Sequence, residues 1–198
     1  MVLVYNRYRN PKMLYTFDEI VTEFGNNYQI HKKIEEGKLQ KVEPNIYTDS
    51  LDYDDFMILI KKYCDGQEKV FTLQDSLKAN GMIKKADKIH YLATDKDAAK
   101  IKDPRVKQIF SQKEVLTLGR IVMIYKGIPF PVYDKERTLI ELCRYQSKIP
   151  ANIFSEAVQS YRRDIAGIDQ QKLTGYLAHF PKLGAITNRL DFIFAQSK

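Results

Sequence analysis

Cysteine and histidine are scarce in this sequence, and long apolar runs are absent. Only two cysteines, Cys64 and Cys143, occur in 198 residues, each among apolar neighbours on an expected helix. That argues against a disulfide scaffold and for two buried, reduced thiols. His31, His90 and His179 stand apart, and no Cys or His falls at metal-ligand spacing. The patterns G-x-x-x-x-G-K-[ST], G-x-G-x-x-G and G-x-S-x-G are all missing, so no phosphate-cradling loop or nucleophile elbow has a candidate. Cys143 has no histidine close in sequence and falls on an apolar helix face, which is poor ground for a nucleophile. No catalytic residue, metal or cofactor is therefore expected. The first twenty residues carry no apolar signal-peptide core, and runs such as Phe56 to Ile60 are too short to span a bilayer. Cytoplasmic residence with no membrane contact is the expectation.

What is present is an ordinary globular composition, 44% hydrophobic and 29% charged, with a net charge of +7. A positive balance suits an anionic partner, but its distribution says more. Residues 1–48 carry seven basic and six acidic side chains, residues 49–104 ten and eleven, and residues 105–198 fifteen and eight. The excess thus sits wholly in the second half.

The stretch from Thr16 to Asp49 has the clearest local signals. Thr16 and Glu19 form a capping-box pattern, and Phe17, Ile20, Val21 and Phe24 follow at helical spacing. Gly25 ends that helix. Asn26 or Asn27 caps the next, which runs to about Glu36 and stops at Gly37. Leu39, Val42, Ile46 and Tyr47 then form the apolar side of a hairpin with Glu43-Pro44-Asn45 at its tip. Helix, turn, helix and hairpin in this order are the layout of a winged helix-turn-helix. Residues 3–10 are a candidate first helix of the same head.

Asp49 to Asp55, with four aspartates, reads as a linker and helix start with solvated carboxylates, and a helix follows through Phe56, Ile60 and Tyr63 to Gly66. A helix after Thr72 stops at Gly81. Strands are expected over Lys88–Thr94, Arg105–Phe110, Val115–Leu118, Ile121–Tyr125 and Ile128–Val132, the last two as a hairpin around Lys126-Gly127. Pro129 and Pro131 assign its second strand to a sheet edge. From Asp134 the pattern is helical, ending in a short helix over Leu190–Phe194. Strands followed by helices predict an α+β fold. The expected organisation is a winged helix-turn-helix over residues 1–50, a linker helix region over 51–66, and an α+β domain with a basic surface over 67–198.

With Ile30 and Ile34 turned to the core, the second helix of the head presents Tyr28 and Lys32 on its far side, flanked by Gln29, His31 and Glu35. Asn26, Asn27, Lys33 and these polar residues are the types that read base edges and phosphates. A solvated face would carry more Glu–Lys pairs; here Glu35 and Glu36 are confined to the last turn. Arg7, Arg9, Lys12, Lys38 and Lys41 are candidate backbone contacts, with Glu43 at the wing tip opposing them. In the second half, Arg137, Arg144, Lys148, Arg162 and Arg163 form a candidate basic patch. Open alternatives are a winged-helix protein that contacts other proteins, and an RNA-binding protein.

Three blocks carry a family resemblance: T-F-D-E-I…G…I-E-E-G-K-L-Q-K-V…I-Y, then F-T-L-Q-D-S-L-K-A-N-G-M, then D-K-E-R-T-L-I-E-L-C-R-Y. In order and spacing, over roughly residues 14 to 185, the sequence resembles the AbiEi antitoxins of bacterial abortive-infection, type IV toxin–antitoxin systems. The block from Asp134 to Tyr145 is the most diagnostic. Family wings carry a basic residue and a glycine before the final I/V-Y, where this chain has Glu43-Pro44-Asn45. The resemblance implies a winged helix that represses its own operon by binding inverted repeats of double-stranded DNA, cooperatively and with bending. It implies a second domain that carries antitoxicity and adds basic contacts. It also implies a nucleotidyltransferase-like toxin that is counteracted without a stable complex, and a bacterial cytoplasmic protein that is monomeric in solution.

Overall fold

The computed structural model describes residues 14–66, 68–181 and 183–195. The candidate helix over residues 3–10 and the candidate contacts Arg7, Arg9 and Lys12 lie outside them. The described residues form a mixed α+β chain with two sheets. They divide into two compact units, one of residues 14–66 with Ile124–Ile128, the other of residues 68–123 with 129–195. No helix among the described residues is long and apolar enough to cross a membrane.

In the first unit, β1 (Tyr15–Thr16) leads into α1 (Phe17–Phe24), α2 (Asn27–Glu35), β2 (Gln40–Glu43), β3 (Ile46–Thr48) and α3 (Asp55–Cys64). The capping box forms at α1: Glu19 N–H donates to Thr16 Oγ1 at 3.3 Å, and Thr16 N–H donates to Glu19 Oε2 at 2.8 Å. The three strands make an antiparallel sheet in the order β1-β3-β2. Tyr15, Ile20, Ile30, Leu39 and Tyr47 are buried together, with Phe17, Phe24 and Ile34 packed against them. Each such side chain contributes about 1.5–3 kcal/mol by leaving water, so this cluster sets how α1 and α2 lie on the sheet.

The acidic stretch before α3 starts that helix as expected, and Asp49, Asp52 and Asp55 are exposed, but two of its carboxylates are engaged by tyrosines. Tyr15 hydroxyl donates to Asp49 Oδ2 at 2.8 Å. Asp54 caps α3, its Oδ1 accepting from Met57 N–H at 3.0 Å. Its Oδ2 accepts from Tyr125 hydroxyl at 2.9 Å and lies 3.2 Å from Lys126 Nζ. Leu14, Ile46, Met57 and Ile58 form a second small core with Tyr125 and Ile128. These two aspartates read as solvated in sequence because their hydroxyl donors, Tyr15 and Tyr125, lie far along the chain.

The second unit contains β4 (Val70–Phe71), α4 (Gln74–Ala79), β5 (His90–Asp95), β6 (Val106–Ser111) and α5 (Lys113–Leu116). The hairpin of β7 (Arg120–Tyr125) and β8 (Ile128–Tyr133) follows, then α6 (Lys135–Arg144), α7 (Ala151–Arg163), α8 (Gln170–Leu177) and α9 (Leu183–Ala195). The five strands run in the order β6-β5-β4-β8-β7, with β5 parallel to β6 and β4 parallel to β8. The core lies between this sheet and the C-terminal helices, from Leu73, Leu77, Tyr91 and Ile109 through Leu139, Leu142, Ala157 and Tyr161 to Ile186, Leu190 and Ile193.

Three expectations are corrected here. Residues 115–118 are not a strand: α5 ends at Leu116, and Val115 and Leu116 are both buried. The segment closes a helical turn instead, with Val115 N–H and Leu116 N–H both donating back to the Gln112 carbonyl at 3.1 and 3.0 Å. The strand β8 is interior and not an edge. Its prolines, two residues apart, drop donors on one side only, and β4 meets β8 there at the single register pair Phe71 with Val132. The last helix is longer than expected, because Ile186, Leu190 and Ile193 continue one buried stripe from Leu183 to Ala195.

The turn between β7 and β8 holds Lys126 at φ 46° and Gly127 at φ 82°, the two positive values that a tight hairpin needs. At Gly119 (φ 73°) the constraint is space as well: a Cβ there would stand 2.5 Å from Arg137 Cβ.

Candidate nucleic-acid interface

The helix α2 is fixed at its start by Asn26, whose Oδ1 accepts from Gln29 N–H at 3.2 Å. Ile30 is buried and Ile34 half-buried, which turns the opposite side outward. Asn26, Asn27, Tyr28, Gln29, His31 and Lys32 are all exposed, Tyr28 to 73%. Tyr28 and Lys32 are one turn apart on the side away from the core, as the helical wheel places them. Lys33 is half-buried with its Nζ 4.7 Å from the centre of the Phe24 ring, so it braces α2 against α1.

The cations around the hairpin are less available. Lys38 Nζ donates to Glu36 Oε2 at 2.8 Å, and this bond holds the Glu36 carboxyl below its ordinary range. Lys41 is exposed, its Nζ 5.8 Å from the Tyr47 ring centre. The expected obstacle, Glu43, ends β2 and pairs with Lys62 at 2.9 Å. Its charge is met from α3, so the turn residues Pro44 and Asn45 carry no uncompensated acid. Lys61 is likewise tied, at 2.6 Å to Glu19 and 2.8 Å to Asp65. The sequence does not show the pairs to Glu43 and Glu19, since α3 lies beyond the hairpin in the chain.

In the second unit the five candidate bases do not form a patch. Arg137 is 1% exposed and belongs to the core. Its guanidinium lies 2.9 Å from Glu141 Oε1, donates to the Val115 carbonyl at 2.8 Å, and stacks over Tyr133 and Phe180. Arg144 is half-buried and spends a nitrogen on the same Glu141 oxygen at 2.6 Å. Arg162 donates to the carbonyls of Ile193 and Phe192, holding α9 to α7. Only Lys148 and Arg163 of the five are exposed, Arg163 donating to Ser160 Oγ at 3.0 Å.

Two groups outside these faces have explicit structural partners. His90 Nδ1 lies 2.7 Å from Asp75 Oδ1, while Asp75 Oδ2 accepts from Tyr91 N–H at 2.7 Å. Burial pushes the Asp75 carboxyl up, against the opposing pull of those two contacts. Burial also pushes the Cys143 thiol up to about 12, so it is protonated at neutral pH. No group of three or more His, Cys, Asp and Glu side chains among the described residues could hold a metal ion. No protein-family model and no curated protein matches this chain.

Proposed function

We propose that the first unit is a winged helix-turn-helix that binds double-stranded DNA sequence-selectively through α2. One observation carries this reading: a helix capped by Asn26 and anchored by Ile30 exposes Asn27, Tyr28, Gln29, His31 and Lys32 together. Gln and Asn can bond adenine bidentately and Lys can reach guanine or phosphate, so the face carries the chemistry of a major-groove element. Lys41 and Lys38 are the wing's phosphate contacts in this reading, Lys38 at the cost of its bond to Glu36. From the resemblance we further propose an antitoxin that represses its own operon and counteracts a nucleotidyltransferase-like toxin without a stable complex. Lys148 and Arg163 are the second unit's candidate phosphate contacts.

Gel shifts on the duplex upstream of the chain's own gene test the DNA reading. Gln29→Ala and Lys32→Ala each weaken specific binding by about 1–3 kcal/mol for a lost bidentate contact; unaltered affinity and specificity would remove α2 as the reading element. Growth rescue on co-expression with the toxin tests the antitoxin reading separately. The exposed Tyr28 also favours a second reading, a protein-contact face. A stable toxin pulldown together with no specific duplex shift would select it.

A further inference from the structure

The strand β6 is an edge of the five-stranded sheet, with β5 its one neighbour among the described strands. The parallel ladder to β5 fixes which backbone groups face outward. His90 N–H donates to the Arg105 carbonyl at 2.8 Å, so Lys107, Ile109 and Ser111 continue the series that bonds to β5. Gln108 and Phe110 therefore turn their N–H and C=O groups away from β5. Among the described residues no hydrogen bond reaches these four groups.

A groove of about 590 Å³ runs along this side. It is lined by all five residues 106–110, whose side chains alternate between the two faces of the sheet. A hollow touching five consecutive residues follows the strand's edge rather than either face. One bank is formed by Lys100, Ile101 and Phe110, the other by Lys107, Ser147 and Lys148. Phe110 is 47% exposed, and Lys100, Lys107 and Lys148 are exposed. No carboxylate lines the groove. Gln108 is spent on the chain itself, its amide bonding Thr94 Oγ1, the Ala99 carbonyl and the Ile101 N–H.

Exposed edges ordinarily invite indiscriminate pairing, and lysines beside an edge are one way of limiting it. Here the lysines stand on both banks. They disfavour a second copy of β6, which would bring a second set of lysines to the same edge. They attract carboxylates that an incoming strand projects to either side. We propose that β6 takes up an extended acidic peptide segment of a protein partner by strand addition. The backbone of Gln108 and Phe110 supplies the ladder, the three lysines select acidic side chains, and Phe110 and Ile101 pack an apolar residue between them. A nucleic-acid strand would satisfy the lysines and stack on Phe110, but it would leave the ladder groups of the floor without matching donors and acceptors. The site is independent of α2, and of its three lysines Lys148 alone is also a candidate phosphate contact in the DNA reading.

Fluorescence anisotropy of the full chain tests this with a labelled peptide of alternating Glu and Val, the same peptide N-methylated at alternate amides, and labelled oligothymidylate. The Glu-Val peptide binds, N-methylation weakens it about tenfold or more, and Lys100→Glu with Lys107→Glu does the same. Both lysines are exposed, so the double variant keeps its fold, checked by an unchanged circular dichroism spectrum. Equal binding of the N-methylated peptide, preference for oligothymidylate, or no peptide binding each overturns the proposal. Sequence selectivity through α2 in gel shifts on the promoter duplex is kept in this variant, which separates failure here from failure of the DNA reading.

Discussion

At the residue scale, Arg137 and Glu141 show how far a charge pattern can mislead. Arg137, Arg144 and Lys148 recur at near-helical spacing, which reads as a basic face. Yet every residue of α6 from Glu136 to Cys143 is buried, because α4, α8 and α9 pack around the helix. A core arginine then needs a core carboxylate, and Glu141 four residues on supplies it. Removing Arg137 leaves the buried Glu141 carboxylate with half-buried Arg144 as its remaining cation. Arg137→Met is expected to cost about 3–5 kcal/mol of unfolding free energy, while Arg137→Met with Glu141→Leu costs clearly less. Denaturant melts of the two variants measure this; equal losses would mean that packing, not charge, sets the cost. Asp54 gives a pH-dependent case. Burial works to raise its carboxyl, but the Met57 N–H, the Tyr125 hydroxyl and Lys126 outweigh it and hold it below its ordinary value of 3.8. A depressed folded value means a contribution that is full above 3.8 and is lost as the pH falls through the folded value. With its side chain a third exposed, the contribution is at most about 1 kcal/mol. Asp54→Asn, which keeps the cap, is expected to be less stable than the parent at neutral pH and to match it in acid. A difference that persists in acid would assign the effect to the cap instead.

At the element scale, the parts written in local chemistry were legible and those written in distant contacts were not. The capping box at Thr16, the Asn26 cap, the stop at Gly37 and the Lys126-Gly127 turn are each decided within a few residues, and the sequence carries them. Strands of two residues, β1 and β4, leave no periodicity to read. The place of β8 inside the sheet depends on β4, and the neutralisation of Glu43 depends on Lys62 in α3. Of the candidate site, the exposed side of α2 could be derived from Ile30 and Ile34 alone. The loss of Arg137 from the surface could not, because it requires knowing what covers α6. The cap also allows folding and binding to be separated in α2. Asn26→Ala removes the bond to Gln29 N–H and is expected to cost about 0.5–2 kcal/mol of stability. Asn26→Asp keeps that bond and favours the helix dipole, so stability holds or rises. The same change places a negative charge where α2 would meet phosphates, so gel shifts should weaken with no loss in the thermal melt. Undiminished DNA binding by Asn26→Asp would take the start of α2 away from the interface.

At the scale of the whole molecule, the question is where the charge excess acts. The net of +7 falls in residues 105–198, yet much of it is already committed. Arg137 and Arg144 serve Glu141, Arg162 serves the backbone of α9, Lys135 meets Asp164, and Lys172 meets Asp134 and Glu136. A net-charge count treats these cations as if they were surface charge; the structure leaves Lys148 and Arg163 exposed from the candidate set. Counterion release converts this into a measurable number, because each phosphate that a cation neutralises adds about 0.9 to the slope of log K against log salt. If both residues touch phosphate, Lys148→Ala with Arg163→Ala lowers the slope by about 1.8. Lys32→Ala lowers it by about 0.9 if Lys32 meets a phosphate, and leaves it unchanged but relaxes specificity if Lys32 meets a base. Arg137→Met leaves it unchanged, since a cation inside the core releases no counterion. A slope insensitive to Lys148 and Arg163 would confine DNA contact to the first unit and leave the basic edge of β6 to the acidic strand proposed for it.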